Sequence, residues 1–180
     1  ASPSMDILIS SNLERLLFIL SGYDAEKTAE YMRELSVDGK YSVDSDLYKK
    51  ISELFDAGYC DDNATKATIN EIFKKYDYLC DTHTAVAVNV YEEYTKRTGD
   101  DTPTVIASTA NPYKFSASVL SAITDDIKSE DEFSMVEELF EKSKEPVPPQ
   151  LATLKGKAPR FTRVSDKEDM AQVVFDMLGI

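Results

Sequence analysis

Glycine is scarce and scattered in this sequence. The 180 residues hold six, at positions 22, 39, 58, 99, 156 and 179, with no two close together. A loop that cradles a phosphate turns several backbone N–H groups to one point, which usually takes clustered glycines. No such loop is present, so the chain cannot hold a nucleotide or cofactor phosphate by that route alone. Cysteine is scarcer still. Cys60 and Cys80 are too few for a disulfide framework and are expected to be reduced and buried as small apolar residues. With the single histidine, His83, they fall short of the closed four-ligand set of a structural zinc site, and no metal is expected. The Cys80–His83 spacing makes no better nucleophile pair. Positive charge is also short: 20 Lys and Arg against 33 Asp and Glu leave a net charge of −13. An acidic surface offers no cationic field to phosphate backbones or lipid headgroups, which excludes nucleic acid and anionic membrane as partners. No run of about 18 apolar residues exists to span a bilayer. Residues 1–6 lack the basic start of a signal peptide, and a cytoplasmic location is expected.

Apolar and aromatic residues are plentiful. Hydrophobic types make up 42%, with ten Tyr and eight Phe, enough for a core and unlike a disordered composition. The patterning is predominantly helical. Leu13, Leu16, Leu17 and Leu20 share one face of a first helix, with Ser11 or Asn12 placed to cap it and Gly22 at its left-handed end. A second helix is expected over about 25–35, ending at Asp38-Gly39. A third begins near Asp44 and buries Leu47, Ile51 and Leu54. Asp61, Asp62 and Asn63 can cap a fourth, with Ile69, Ile72 and Phe73 inward. Asp81 to Thr84 caps a fifth that carries Val86, Val90 and Tyr94 and ends at Gly99. After Pro112, Phe115, Val119 and Ile123 form another inner face. An acidic helix over 130–142 is expected to bury Phe133, Val136, Leu139 and Phe140. Residues 145–149 form a stiff Pro-rich connector that cannot be helical. A short C-terminal unit, 150–180, follows, with Ser165 capping a last helix bearing Met170, Val173, Val174 and Met177.

Residues at about 103–108 are β-branched and apolar, and predict one clear strand buried on both faces. A further edge strand is expected at about 159–163. Two strands are too few for a complete sheet, so the pattern suits a piece whose strand joins a sheet made elsewhere in a larger chain.

Two turns can carry chemistry. In the first, Ser108-Thr109-Ala110 leads through Asn111-Pro112 into a helix. Hydroxyls at the carboxyl end of a strand can face a cleft, and a helix start with Lys114 in its first turn favours an anion. An ordinary hydroxyl-capped turn accounts for the same residues, and both readings stand. The second is Asp81-Thr82-His83-Thr84, read as a helix cap or as a second helix start on the same cleft. The remaining acid clusters sit at helix starts and loops and read as solvated caps rather than paired catalytic carboxylates.

Four blocks in these regions resemble the threonine synthase family. Residues 2–17, with Ser2-Pro3-Ser4-Met5-Asp6-Ile7 and Ser10-Ser11-Asn12, are similar to its S-P-S-M-D-I and S-S-N stretch. Gly58 to Thr65 resembles its G-x-x-D-D-x-x-T helix entry. Tyr78 to Val86 resembles Y-L-x-D-P-H-T-A-V, and Ala107 to Phe115 resembles x-S-T-A-H-P-A-K-F. The tail around Arg160-Phe161-Thr162 is also similar. The blocks occur in the family's order and span most of the chain.

The resemblance implies the C-terminal lobe, residues 1–180, of a fold type II pyridoxal-phosphate enzyme, α/β by parentage. Such an enzyme converts O-phospho-L-homoserine and water to L-threonine and phosphate. The lysine that holds the cofactor and the glycine-rich phosphate cup lie far upstream in the family. The resemblance therefore implies no catalytic residue in this segment, no cofactor held by it alone, and the N-terminal portion of the same enzyme as partner. It also implies that a hydroxyl of the Ser108-Thr109 step, with Thr109 favoured, hydrogen-bonds the cofactor's pyridine nitrogen. Lys114, Asn111, His83 and Thr84 are expected near substrate phosphate or on the active-site wall. Three positions depart from the family pattern: Asn111 stands for His, Tyr113 for Ala and Thr82 for Pro. Asn111 cannot serve as an acid or base near neutral pH. The competing expectation is a free-standing acidic helical protein-interaction domain, in which the 103–108 segment would be covered within the chain itself.

Overall fold

The computed structural model describes residues 1–3, 7 and 9–180. Ser4, Met5, Asp6 and Leu8 of the first family-like block lie outside the described residues. The elements are α1 (Ser11–Leu20), α2 (Ala25–Asp38), α3 (Ser45–Leu54), α4 (Asp62–Tyr76), α5 (Thr82–Thr98), α6 (Ser116–Ile123), α7 (Glu132–Ser143), α8 (Pro149–Ala152) and α9 (Met170–Leu178), with 3₁₀ turns at Pro112–Phe115 and Lys167–Asp169.

The strand expectations are overturned. Among the described residues there is no strand and no sheet, at 103–108, at 159–163 or elsewhere, so the α/β assignment gives way to an all-helical one. Val105, expected to be buried on both faces, is 94% exposed. The physical reason is that a strand exists only as one side of a hydrogen-bonded ladder. β-Branched residues favour an extended backbone, but nothing among the described residues pairs with them.

Two compact units divide the chain, Ala1–Glu145 and Pro146–Ile180. In the first, α1 packs on α2 and α3, while α4 contacts α5 and α6, and α6 contacts α7. Leu17, Tyr31 and Leu47 form the buried centre of the first group, with Leu20, Met32, Tyr41, Val43 and Ile51 packed around them. Ile69, Ala85, Val119, Leu120 and Leu139, from α4 to α7, are fully buried.

Capping explains where the helices begin. Ser10, one residue before the expected cap, accepts the Leu13 N–H and starts α1. Asp24, Asp44, Asp61, Asp81 and Asp131 accept N–H groups of the first turns of α2, α3, α4, α5 and α7. The acid clusters at 44–46, 61–62 and 130–132 thus hold helix caps, as their positions predicted, while those at 100–101 and 125–126 lie in loops. Glu138 is the exception in kind. Buried on α7, it accepts from the backbone N–H of Lys128 and Ser129 and from the Ser129 hydroxyl at 2.6 Å, tying down the α6–α7 connection. Those donors, the Ser129 hydroxyl first, hold its carboxyl below the usual range.

Two expected inner residues face outward: Leu54 is 67% exposed and Phe140 43%. The second unit contains α8 and α9 and no buried residue. Pro149, placed in the non-helical connector, is the first residue of α8, where its missing N–H costs nothing. The last helix starts at Met170, behind a 3₁₀ turn, rather than under a Ser165 cap.

Candidate functional site

The two chemistry-bearing turns meet. Asp81, fully buried, caps α5: its Oδ1 accepts the N–H of His83 at 2.8 Å and of Thr84 at 3.2 Å. Its Oδ2 accepts the Thr84 hydroxyl. Thr84 Oγ1 lies 3.1 Å from Ser108 Oγ, and Ser108 Oγ is 3.3 Å from the Tyr78 hydroxyl. The Asp81 to Thr84 segment is therefore both a helix cap and a neighbour of the Ser108-Thr109 turn.

The Thr84 hydroxyl reaches both Asp81 and Ser108, and Ser108 Oγ accepts from Thr84 and from the Tyr78 hydroxyl. Thr109, next along the chain and exposed, takes no part in these bonds.

A second contact joins the same two segments. The His83 ring packs edge-on against Phe115, with centroids 4.7 Å apart, and His83 Nδ1 shares a hydrogen bond with Ser2 Oγ. Asn111 Oδ1 accepts the Tyr113 N–H at 3.0 Å and caps the 3₁₀ turn that carries Lys114, itself exposed. The helix start behind Lys114 is a single 3₁₀ turn before α6, so its dipole is weaker than a regular helix start would give. Tyr113, the residue in place of alanine, is buried and donates its hydroxyl to the Glu145 carbonyl at 2.5 Å.

Sequence reasoning missed Tyr78 and Ser2 as members of this cluster, while Asp81 was read as part of the helix start that carries His83. Tyr78 and Ser2 had no legible signal, because their partners are 30 and 81 residues away.

Two polar features have no hydroxyl chemistry to offer. Cys80 is free and buried; burial first, then the Asp81 charge, pushes its thiol from 9.0 up to about 11, which suits an inert core residue. Among the described residues no cluster of three or more His, Cys, Asp or Glu can hold a metal, and no helix is long and apolar enough to cross a membrane. A concavity of about 1040 Å³ lies elsewhere, between residues 52–61 and α5, lined by Phe55, Gly58, Tyr59, Val90, Tyr94 and Arg97. Arg97 there is paired with Asp56 at 2.6 Å, so its charge is already met. The hydroxyl turn is the stronger site because its groups converge and Thr109 beside them is exposed.

The family described as "Threonine synthase, C-terminal" matches residues 84–174. The threonine synthase of Pseudomonas aeruginosa is 39% identical over 121 residues, covering 67% of this chain and 25% of that protein. The crystal structure of threonine synthase from yeast superposes with a TM-score of 0.76 at 28% identity, over 99% of this chain and 36% of that one. A crystal structure of pyridoxal-phosphate-bound threonine synthase from Brucella melitensis gives a TM-score of 0.63 at 34% identity, over 76% of this chain and 29% of that one. The chain thus spans about a quarter of the length of the Pseudomonas relative.

Proposed function

This chain belongs to the threonine synthase C-terminal family, and from that premise we propose that residues 1–180 form the C-terminal lobe of a threonine synthase, supplying one wall of its active site. The reaction would be that of a pyridoxal-phosphate lyase, O-phospho-L-homoserine and water giving L-threonine and phosphate. The N-terminal portion of the same enzyme is the partner. The free cysteines suit a reducing cytoplasm.

The observation that carries this reading is the exposed hydroxyl of Thr109 beside a Ser108 that is tied to Thr84 and Tyr78. The residues fit the ring side of pyridoxal phosphate and not its phosphate. Thr109 has a proton to donate to a pyridine nitrogen, whereas the scattered glycines form no phosphate cup. When bound, the cofactor supplies an electron sink, which the protein tunes. A neutral hydroxyl at the ring nitrogen makes the ring less electron-withdrawing than a carboxylate partner would. Lys114 supplies a positive charge for the substrate phosphate. Asn111, whose Oδ1 is held by the Tyr113 N–H, keeps its amide N–H groups for hydrogen bonding to substrate. His83 and Thr84 shape the wall.

A covered 103–108 segment would have favoured a free-standing interaction domain. Val105 is 94% exposed, so that apolar segment is left open, as a lobe requires. Thr109→Val in the holoenzyme that carries this segment should shift the cofactor's absorbance and lower kcat about tenfold, the loss of one hydrogen bond to a charged or polarised acceptor. Thr109→Ser should behave as the parent. An unchanged spectrum and rate in Thr109→Val would overturn the assignment.

A further inference from the structure

The hydroxyl chain that ends on Asp81 does more than cap α5. Its atoms come from three parts of the sequence: Tyr78 before α5, Asp81 and Thr84 at its start, and Ser108 a further 24 residues on. The segment before Ser108 carries no helix or strand, and Thr102 to Val105, Ala107, Ser108 and Thr109 are all exposed. The side-chain bonds of Ser108 to Thr84 and Tyr78 tie this turn to the start of α5.

We propose that Asp81 and Thr84 are positioning residues: the Thr84 hydroxyl, set by Asp81, bonds Ser108 Oγ and anchors that side chain to the start of α5, and so presents the neighbouring Thr109 hydroxyl to the ring nitrogen of the cofactor. The inference rests on the Thr109 assignment above, and deepens it by naming what aims that residue. Two backbone N–H groups at the helix start, those of His83 and Thr84, hold the Asp81 carboxyl in place. Thr84 is buried, which shields its bonds from competition with water.

The test has two arms. In the 180-residue chain, without cofactor, Thr84→Val keeps the shape of Thr84 and removes its hydroxyl. Backbone order parameters of Ser108 and Thr109 should fall from about 0.85 to below about 0.6, and Thr84→Ser should restore them. Unchanged order parameters in Thr84→Val would overturn the anchoring role. In the holoenzyme, Thr84→Val should weaken cofactor binding about fivefold and shift its absorbance, yet add nothing in a Thr109→Val background, because the anchor acts through Thr109. Additive effects would show that Thr84 acts independently of Thr109 and would overturn the proposal. If Thr109→Val alone leaves cofactor affinity and absorbance unchanged, the Thr109 assignment fails, whatever the order parameters show.

Discussion

Thr84 Oγ1 and Ser108 Oγ stand 3.1 Å apart, joining the start of α5 to a turn 24 residues downstream. Around that contact the molecule places a buried carboxylate, a serine tied to two hydroxyls and an exposed threonine. Several of its neighbours are unusual enough to be tested.

Thr82 is one. It is fully buried, and its hydroxyl has no hydrogen-bond partner. Leaving a buried hydroxyl unmet costs about 1–3 kcal/mol. Thr82 is also the first residue of α5, where proline is well tolerated, and Asp81 before it has the extended backbone that proline demands, with φ −75° and ψ 168°. Thr82→Pro should therefore stabilise the chain by about 1 kcal/mol, raising the melting temperature by about 2–4 °C. Thr82→Val, which only removes the hydroxyl, should move it the same way. A lower melting temperature in both variants would contradict the account.

Gly58 is a matter of space. Its φ is not positive, but a Cβ built there would lie 2.8 Å from Val90 Cγ1. Valine on a helix has little rotamer freedom to move aside. Gly58→Ala is expected to destabilise by about 1–3 kcal/mol, measured by chemical denaturation. Val90→Ala in the same chain should recover part of that loss, and a neutral Gly58→Ala would show the contact to be soft.

Acid should loosen the first unit through Asp44. The hydrogen bond from Lys27, then the backbone N–H of Leu47, hold its carboxyl down from 3.8 to about 2. A depressed folded pKa means the stabilisation is complete above about pH 3.8 and is lost as pH falls toward 2. Asp44→Asn should flatten the fall of melting temperature across that window while leaving the slope above pH 5 unchanged. An equal acid slope in the variant would assign the loss to other carboxyls.

Much of the helical frame was legible because capping is local. An aspartate and the N–H groups it accepts lie two or three residues apart, so helix starts at Asp44, Asp61, Asp81 and Asp131 could be placed from spacing alone. The left-handed glycines at 39 and 99 were legible for the same reason. The strand at 103–108 was misread because extended preference is local and strand pairing is not: the residues have the right side chains and no ladder partner among the described residues. Phe140 and Leu54 were misjudged because periodicity marks an apolar stripe but not how far a neighbour covers it. At the candidate site, Ser108, Thr109, His83 and Thr84 were singled out from motif and turn chemistry. The link between Thr84 and Ser108, and the part of Tyr78, depend on tertiary placement that no spacing encodes.

The central claim is that this chain forms one wall of a pyridoxal-phosphate site and does not itself hold the cofactor. The direct measurement is to incubate the 180-residue chain with stoichiometric pyridoxal phosphate, reduce with borohydride, and map the labelled peptides, first alone and then with the N-terminal portion of the enzyme. The account predicts no stoichiometric label on any lysine of this chain in either mixture, and one labelled lysine in the N-terminal portion. A single lysine of this chain labelled once per molecule would contradict it.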